Sequence, residues 1–110
     1  IKVPKINYYY DRLNIKKIIK DFNIRVIHTP GHTKGSVCIL LNDKLFTGDT
    51  LLKGQIGRSD LPGGDKLSLY KSLVTISNMS KQLNIYPGHG SSSTIGAELK
   101  NNNQLINFLK

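Results

Sequence analysis

Residues 23–33 have the sequence N-I-R-V-I-H-T-P-G-H-T. It is typical of an apolar strand that ends at a Pro-Gly turn, and this turn presents His32. The same design returns in L-N-I-Y-P-G-H-G at residues 83–90, where His89 follows a short apolar run. A third version, K-L-F-T-G-D-T at residues 44–50, presents Asp49. Three times, a short apolar run reaches a glycine that precedes a residue able to ligate a metal.

His32, Asp49 and His89 are therefore the candidate metal ligands. Ligands at the ends of neighbouring strands converge easily, and an adjacent glycine lets the backbone turn sharply and approach closely. Two imidazoles and a carboxylate suit zinc, iron or manganese, and three protein ligands with an open position are typical of a catalytic site. Any one of these residues alone would be read as an ordinary turn residue. The repeated P-G-H pattern favours metal binding for the set.

Two other interpretations of the polar residues have less support. His28 precedes His32 by four positions, but a Pro-Gly turn intervenes, so the helical i, i+4 pairing of metal ligands does not apply. We expect His28 to be a half-buried strand residue. The serines at 91–93 follow His89, but no serine lies in the G-x-S-x-G turn that presents a catalytic nucleophile.

Length and composition restrict the class of protein. A chain of 110 residues is one small domain or part of a larger one. The formal net charge is +9, but the lysines are scattered and no Arg-rich helix accompanies them, so a solvated basic face is favoured over a nucleic-acid site. Cys38 lies in an apolar run and is expected to be buried. Because no long apolar run predicts a membrane span, we expect no membrane contact and a cytoplasmic location.

The periodicity of the remaining chain predicts a sheet covered by helices. Asp65 is a good N-cap for a helix whose buried stripe is Leu69, Leu73 and Ile76. Thr94 is expected to cap a second helical region over residues 95–110, with a possible break at 101–103. Residues 51–64 are expected to form a long loop in which Arg58 and Asp60 pair, and residues 91–94 are expected to form a polar loop. The apolar run V-C-I-L-L lacks alternation, which predicts a strand covered on both faces. Strands are predicted at 15–20, 24–28, 36–41, 44–47 and 83–86. Those at 36–41 and 44–47 are expected to form a hairpin with a two-residue turn at Asn42-Asp43.

Four motifs together resemble the metallo-β-lactamase superfamily. They are T-P-G-H-T-K-G-S at 29–36, F-T-G-D-T-L at 46–51, G-R-S-D-L-P-G-G-D at 57–65 and Y-P-G-H-G at 86–90, with T-I-G-A-E at 94–98 also similar. Within that superfamily they most resemble the short glyoxalase II-like hydrolases. The resemblance covers residues 23–100, and residues 1–22 match weakly.

The resemblance implies an α/β fold, in which helices cover the two mostly antiparallel sheets of an αββα sandwich. It also implies a two-zinc centre, or one of iron or manganese, in which His32 ligates the first metal, His89 the second, and Asp49 bridges both. In such enzymes a metal-bound hydroxide attacks the carbonyl of a small-molecule thioester, because the metal lowers the pKa of bound water and stabilises the developing oxyanion.

One motif of the family is absent from these 110 residues. H-x-H-x-D-H, which supplies most of the remaining ligands, does not occur. The chain therefore resembles the C-terminal half of such a domain and is expected to be weakly active or inactive alone. Its expected partner is the missing N-terminal half or a second copy. Two alternatives remain open: a mononuclear iron persulfide dioxygenase and a non-enzymatic basic interaction module.

Overall fold

A computed structural model of the chain describes residues 22–110. Its main sheet contains five strands in the order β1-β2-β3-β6-β7, and β4 and β5 form a separate two-stranded sheet. The strands are β1 Ile24–His28, β2 Val37–Leu41, β3 Lys44–Gly48, β4 Leu51–Leu52, β5 Gln55–Ile56, β6 Asn84–Pro87 and β7 Ser93–Thr94. The helices are α1 Lys66–Ser77, α2 Ile95–Asn101 and α3 Asn103–Leu109. The strand expected at residues 15–20 lies outside the described residues.

The strand directions bring the carboxyl ends of three strands to one edge of the sheet. β1 is antiparallel to β2, β2 is antiparallel to β3, and β3 is parallel to β6. β1, β3 and β6 therefore run the same way, and their carboxyl ends meet at the same edge. These are the strands after which the sequence places His32, Asp49 and His89, so the predicted convergence is confirmed at the level of topology.

The β2–β3 hairpin forms without the glycine that such turns usually contain. Leu41 pairs with Lys44, which leaves a two-residue turn, and Asn42 adopts a φ of 56°. Asparagine tolerates this left-handed conformation better than other non-glycine residues, because its short polar side chain can bond locally. The hairpin predicted from sequence is therefore confirmed.

The core lies between one face of the sheet and the three helices. Cys38, Leu45 and Ile85 are fully buried on the sheet side. The predicted helical stripe of Leu69, Leu73 and Ile76 packs against them, as do Ile95 of α2 and Leu105 of α3. Burial of this apolar set is the main stabilising term of the fold. No helix among residues 22–110 is long and apolar enough to cross a membrane.

The opposite face of the sheet is apolar and partly open in the described part of the chain. Val26 pairs with Ile39 and Ile39 with Phe46, and the ring of Phe46 stacks on that of Tyr86 at 5.5 Å. Val26 remains 55% exposed, and Val37 is also exposed. The expectation that β2 is covered on both faces is therefore wrong, because the helices described lie on only one face.

Two segments predicted to be loops contain short strands. Residues 51–64 are not only loop, since they contain the β4–β5 hairpin, and β7 lies in the segment 91–94 that the sequence predicts to be a polar loop.

The predicted helix caps are confirmed. The carboxylate of Asp65 accepts from the Ser68 amide at 2.9 Å and caps α1. The hydroxyl of Thr94 accepts from the Ala97 amide at 3.1 Å, and the predicted break falls at Asn102.

Candidate metal centre

The turn that carries His32 is fastened to the start of α1. The Asp65 amide donates to the carbonyl of Gly31 at 2.8 Å, and the hydroxyl of Ser72 donates to the carbonyl of Pro30 at 2.7 Å. Gly31 has a φ of 140°, and a Cβ there would lie 2.3 Å from the Cα of Leu69. Only glycine permits both this backbone conformation and this close approach. The P-G-H motif therefore holds His32 at a defined position over the helix.

Asp49 and His89 are brought together by the parallel pairing of β3 with β6. The Gly88 amide donates to the carbonyl of Gly48 at 2.8 Å, just beyond the paired strands. A Cβ on Gly88 would lie 3.1 Å from Oδ1 of Asp49. The glycine before His89 thus leaves the space that the Asp49 carboxylate occupies.

The three predicted ligands meet, with Asp49 between the two histidines. Nε2 of His32 lies 3.7 Å from Oδ2 of Asp49, and Nδ1 of His89 lies 3.1 Å from Oδ1. The side chains of His32, Asp49 and His89 are 25%, 43% and 71% exposed. The carboxylate therefore directs a different oxygen to each imidazole, and the His89 side is the one more open to solvent.

A backbone carbonyl orients the ring of His32. Nδ1 of His32 lies 2.8 Å from the carbonyl oxygen of Arg58. A carbonyl can only accept, so this contact assigns the hydrogen to Nδ1 and leaves the lone pair of Nε2 directed toward Asp49. Metal-bound histidines are commonly oriented by such a bond on the other ring nitrogen. The sequence carries no signal for this contact, because the group that accepts is main chain.

The loop that provides this carbonyl has its own ion pair. The guanidinium of Arg58 donates two hydrogen bonds of 3.0 Å to the carboxylate of Asp60, as the sequence predicts. These bonds hold the pKa of Asp60 below its usual value and raise that of Arg58. Both side chains are exposed, so the pair shapes the loop and contributes little to global stability.

The donor set fits a metal, but only as part of a site. Oδ1 of Asp49 is buried and has no hydrogen-bond partner among the described residues, because its contact with His89 is poorly aligned. A buried carboxylate oxygen without a partner is costly, and a cation would satisfy it. Within residues 22–110, however, no group of three or more His, Cys, Asp or Glu side chains could hold one metal ion. The residues supply two pairs of donors that share Asp49.

The other polar residues singled out by sequence lie apart from this cluster. Nε2 of His28 bonds with the carbonyl of Lys34 at 2.8 Å. Its side chain is exposed, so the expectation of a half-buried strand histidine is wrong. The hydroxyl of Ser93 donates to the carboxylate of Glu98 and is not directed at a histidine.

Comparison with known proteins identifies the same family that the motifs resemble. Residues 14–89 match the family model described as the metallo-beta-lactamase superfamily. The chain is 43% identical over 103 residues to ML0493 of Mycobacterium leprae, which covers 90% of the chain and 47% of that protein. It is 42% identical over 84 residues to the hydroxyacylglutathione hydrolase GloC of Haemophilus influenzae, which covers 74% of the chain and 40% of that enzyme.

A solved structure agrees with the fold. TTHA1623, crystallised in a di-iron-bound form, superposes with a TM-score of 0.72 at 37% identity, over 74% of this chain and 42% of that one. The chain thus spans less than half the length of the relatives it matches. With a family-model match over most of its residues and the strand-end cluster that its motifs predict, this chain belongs to the metallo-β-lactamase superfamily.

Proposed function

We propose that this chain forms part of a metal-dependent hydrolase, and that His32, Asp49 and His89 are its contribution to a two-metal centre. The observation that supports this most directly is the position of Asp49. Its two oxygens lie against two different imidazoles, and the buried one has no hydrogen-bond partner among residues 22–110. A carboxylate so placed is suited to link two cations.

Each residue has a distinct task in this proposal. His32 presents Nε2, because Arg58 holds the hydrogen on Nδ1. Asp49 would hold both cations through its carboxylate. His89 binds on the more exposed side, where a substrate can enter. The metals, when bound, supply a water of lowered pKa and a Lewis acid for the substrate carbonyl.

A thioester is the proposed substrate and zinc the proposed metal. Attack of water on the carbonyl carbon breaks the carbon–sulfur bond and releases a carboxylic acid and a thiol. Support comes from the relative named as a hydroxyacylglutathione hydrolase and from the G-R-S-D-L-P-G-G-D loop at residues 57–65. That loop also supplies the carbonyl that orients His32.

The test is hydrolysis of a lactoyl thioester by a protein that carries this chain together with an upstream H-x-H-x-D-H segment. We expect zinc-dependent turnover that falls by roughly 100-fold or more in His32→Ala and Asp49→Asn, since a two-metal site needs both cations held. His28→Ala is the matched control and should keep its activity, because His28 contacts the Lys34 carbonyl instead. Absence of zinc-dependent turnover in the unaltered protein would overturn the proposal.

A mononuclear iron oxygenase acting on a persulfide is the second candidate. The observation in its favour is that His32 is much less exposed than His89, so one half of the centre is better enclosed than the other. Metal analysis separates the two functions. Two zinc ions per protein support the hydrolase, whereas a single iron with oxygen consumption supports the oxygenase.

A further inference from the structure

A buried carboxylate outside the metal centre binds the turn of the β4–β5 hairpin. Glu98 of α2 is 3% exposed. Its Oε1 accepts from the Gly54 amide at 2.7 Å and from Nδ2 of Asn102 at 3.0 Å. Its Oε2 accepts from the hydroxyl of Ser93 at 2.6 Å. Charge-assisted bonds of this kind compensate a buried carboxylate for its lost hydration.

The corner between α2 and α3 binds the same hairpin at three more positions. Nδ2 of Asn102, which is fully buried, also donates to the carbonyls of Leu52 and Gln55, at 3.3 and 3.0 Å. Oε1 of Gln104 accepts from the Ile56 amide at 3.1 Å. We call Glu98, Asn102 and Gln104 the hairpin clamp.

The hairpin depends on this clamp because its strands are very short. Only Leu51–Leu52 and Gln55–Ile56 pair, and an isolated two-stranded ribbon is at best marginally stable in water. Two buried polar side chains and one exposed amide therefore bind its backbone, in addition to the hydroxyl of Thr47, which donates to the Leu51 carbonyl at 2.7 Å, and to the burial of Leu51 and Leu52.

The other end of the hairpin leads directly into the metal centre. The Gly57 amide donates to the carbonyl of Thr50 at 3.0 Å, so the chain segments on either side remain adjacent. A Cβ on Gly57 would lie 2.0 Å from the carbonyl oxygen of Asp49, which shows how closely the two backbones pack. Asp49 precedes the hairpin and Arg58 follows it. The hairpin thus joins the proposed bridging ligand to the carbonyl that orients His32.

We propose that Glu98 and Asn102 are positioning residues of the metal centre. By holding the hairpin, they set the place of the Asp49 carboxylate relative to the Arg58 carbonyl and so select the Nδ1–H tautomer of His32. This inference rests on the proposed function, since it takes His32 and Asp49 as ligands. Gln104, which is exposed, contributes one bond to the same clamp.

The hairpin clamp requires hydrogen-bond acceptors at Glu98, and substitutions can remove them. Three donors bond to the carboxylate of Glu98, so both of its oxygens must be acceptors. In Glu98→Gln one of these acceptors becomes an amide donor that faces another donor. Gln104→Ala removes a bond at the surface and leaves the core intact, so it remains informative if Glu98→Gln does not fold.

The first measurement is the tautomer of His32, obtained from long-range proton–nitrogen NMR spectra of the metal-free chain at a pH where imidazole is neutral. The unaltered chain should show hydrogen on Nδ1. We expect Glu98→Gln and Gln104→Ala to move His32 toward a mixture of tautomers. Ile76→Val, a control that loosens the core of α1 outside the hairpin clamp, should leave it unchanged. An unchanged tautomer in every clamp variant that folds would overturn the inference.

The second measurement separates this inference from the proposed function. Cobalt binding is followed by absorption, using the protein that also carries H-x-H-x-D-H. We expect Glu98→Gln to weaken binding by roughly 10-fold, the effect usual for groups that orient a ligand. A tautomer change without weaker cobalt binding would overturn the inference. If the unaltered protein binds no cobalt, the proposed function fails, whatever the tautomer shows.

Discussion

At the scale of single residues, the centre is built from polar side chains and from glycines that leave room for them. Gly31 lets the His32 turn press against α1, and Gly88 lets the Asp49 carboxylate lie beside β6. The sequence marks both glycines, because each stands directly before a histidine. Their steric reason is visible only in the packed structure, where the atoms they approach belong to distant parts of the chain.

Gly31→Ala should destabilise the fold strongly. The strained φ of 140° alone costs an alanine about 1–3 kcal/mol, and the overlap with Leu69 adds to this. The free energy of unfolding in urea measures the loss. Gly35→Ala is the matched control in the same loop, since a Cβ there meets no atom within 4 Å. Equal stabilities of the two variants would contradict this account of Gly31.

Asp49→Asn should remove the stabilisation that zinc gives a protein that carries this chain together with an upstream H-x-H-x-D-H segment, because the chain alone offers each cation one histidine and a share of Asp49. Zinc that binds only the folded state raises its stability by about 2.7 kcal/mol when free zinc exceeds the Kd 100-fold. We expect this unaltered protein to melt at a higher temperature with zinc and its Asp49→Asn variant to melt at the same temperature with or without it. His28→Ala should retain the shift. A shift in Asp49→Asn equal to that of the unaltered protein would exclude Asp49 as a ligand.

At the scale of elements, local signals predict the long helix well and the short hairpin poorly. Asp65 and the Leu69, Leu73 and Ile76 stripe are enough to place α1, since capping and 3.6-residue periodicity are both local. The β4–β5 hairpin has two residues in each strand and no alternating pattern. Its backbone is bound by Glu98, Asn102 and Gln104 from more than forty residues away, and its leucines are buried in the core.

The cap of α1 should make stability depend on pH in acid. The amide and hydroxyl of Ser68 donate to the carboxylate of Asp65 and lower its pKa in the folded state. The stability it contributes is therefore fully present above its unfolded pKa of about 3.9 and is lost as the pH falls through the lower folded value.

Asp65→Asn isolates this effect, because asparagine also caps helices well but does not titrate. Between pH 7 and pH 3, the melting temperature of the unaltered chain should fall further than that of Asp65→Asn. Parallel losses in the two proteins would show that the carboxylate charge of Asp65 does not stabilise α1.

At the scale of the whole molecule, the described helices cover one face of the main sheet and leave its other, apolar face partly open. That face carries Val26, Ile39, Phe46 and Tyr86, and the helices lie on the other side. The proposed metal centre is incomplete in the same way, since each proposed metal has one histidine and a share of Asp49. Both features agree with a chain that spans less than half of its relatives.

The open face should cause the chain by itself to self-associate. Apolar patches of this kind usually mark a surface that another chain segment covers. Val26→Lys should shift the chain toward monomer in sedimentation velocity, because it places a charge within the patch. Leu67→Lys adds the same charge at another exposed apolar residue, on α1, and serves as control. If both variants, or neither, reduce self-association, the sheet face is not the contact.

The sequence alone determines the family, the identity of the three candidate ligands, the long helix and its cap. These depend on local rules: a glycine beside a histidine, a capping aspartate, the period of apolar residues. Only the tertiary structure decides which oxygen of Asp49 lies against which histidine, that Arg58 orients His32 through its carbonyl, and that Glu98 and Asn102 hold the hairpin. The first depends on how the strand ends pack, and the other two join side chains to backbone atoms far away in the chain, which are the same in every sequence.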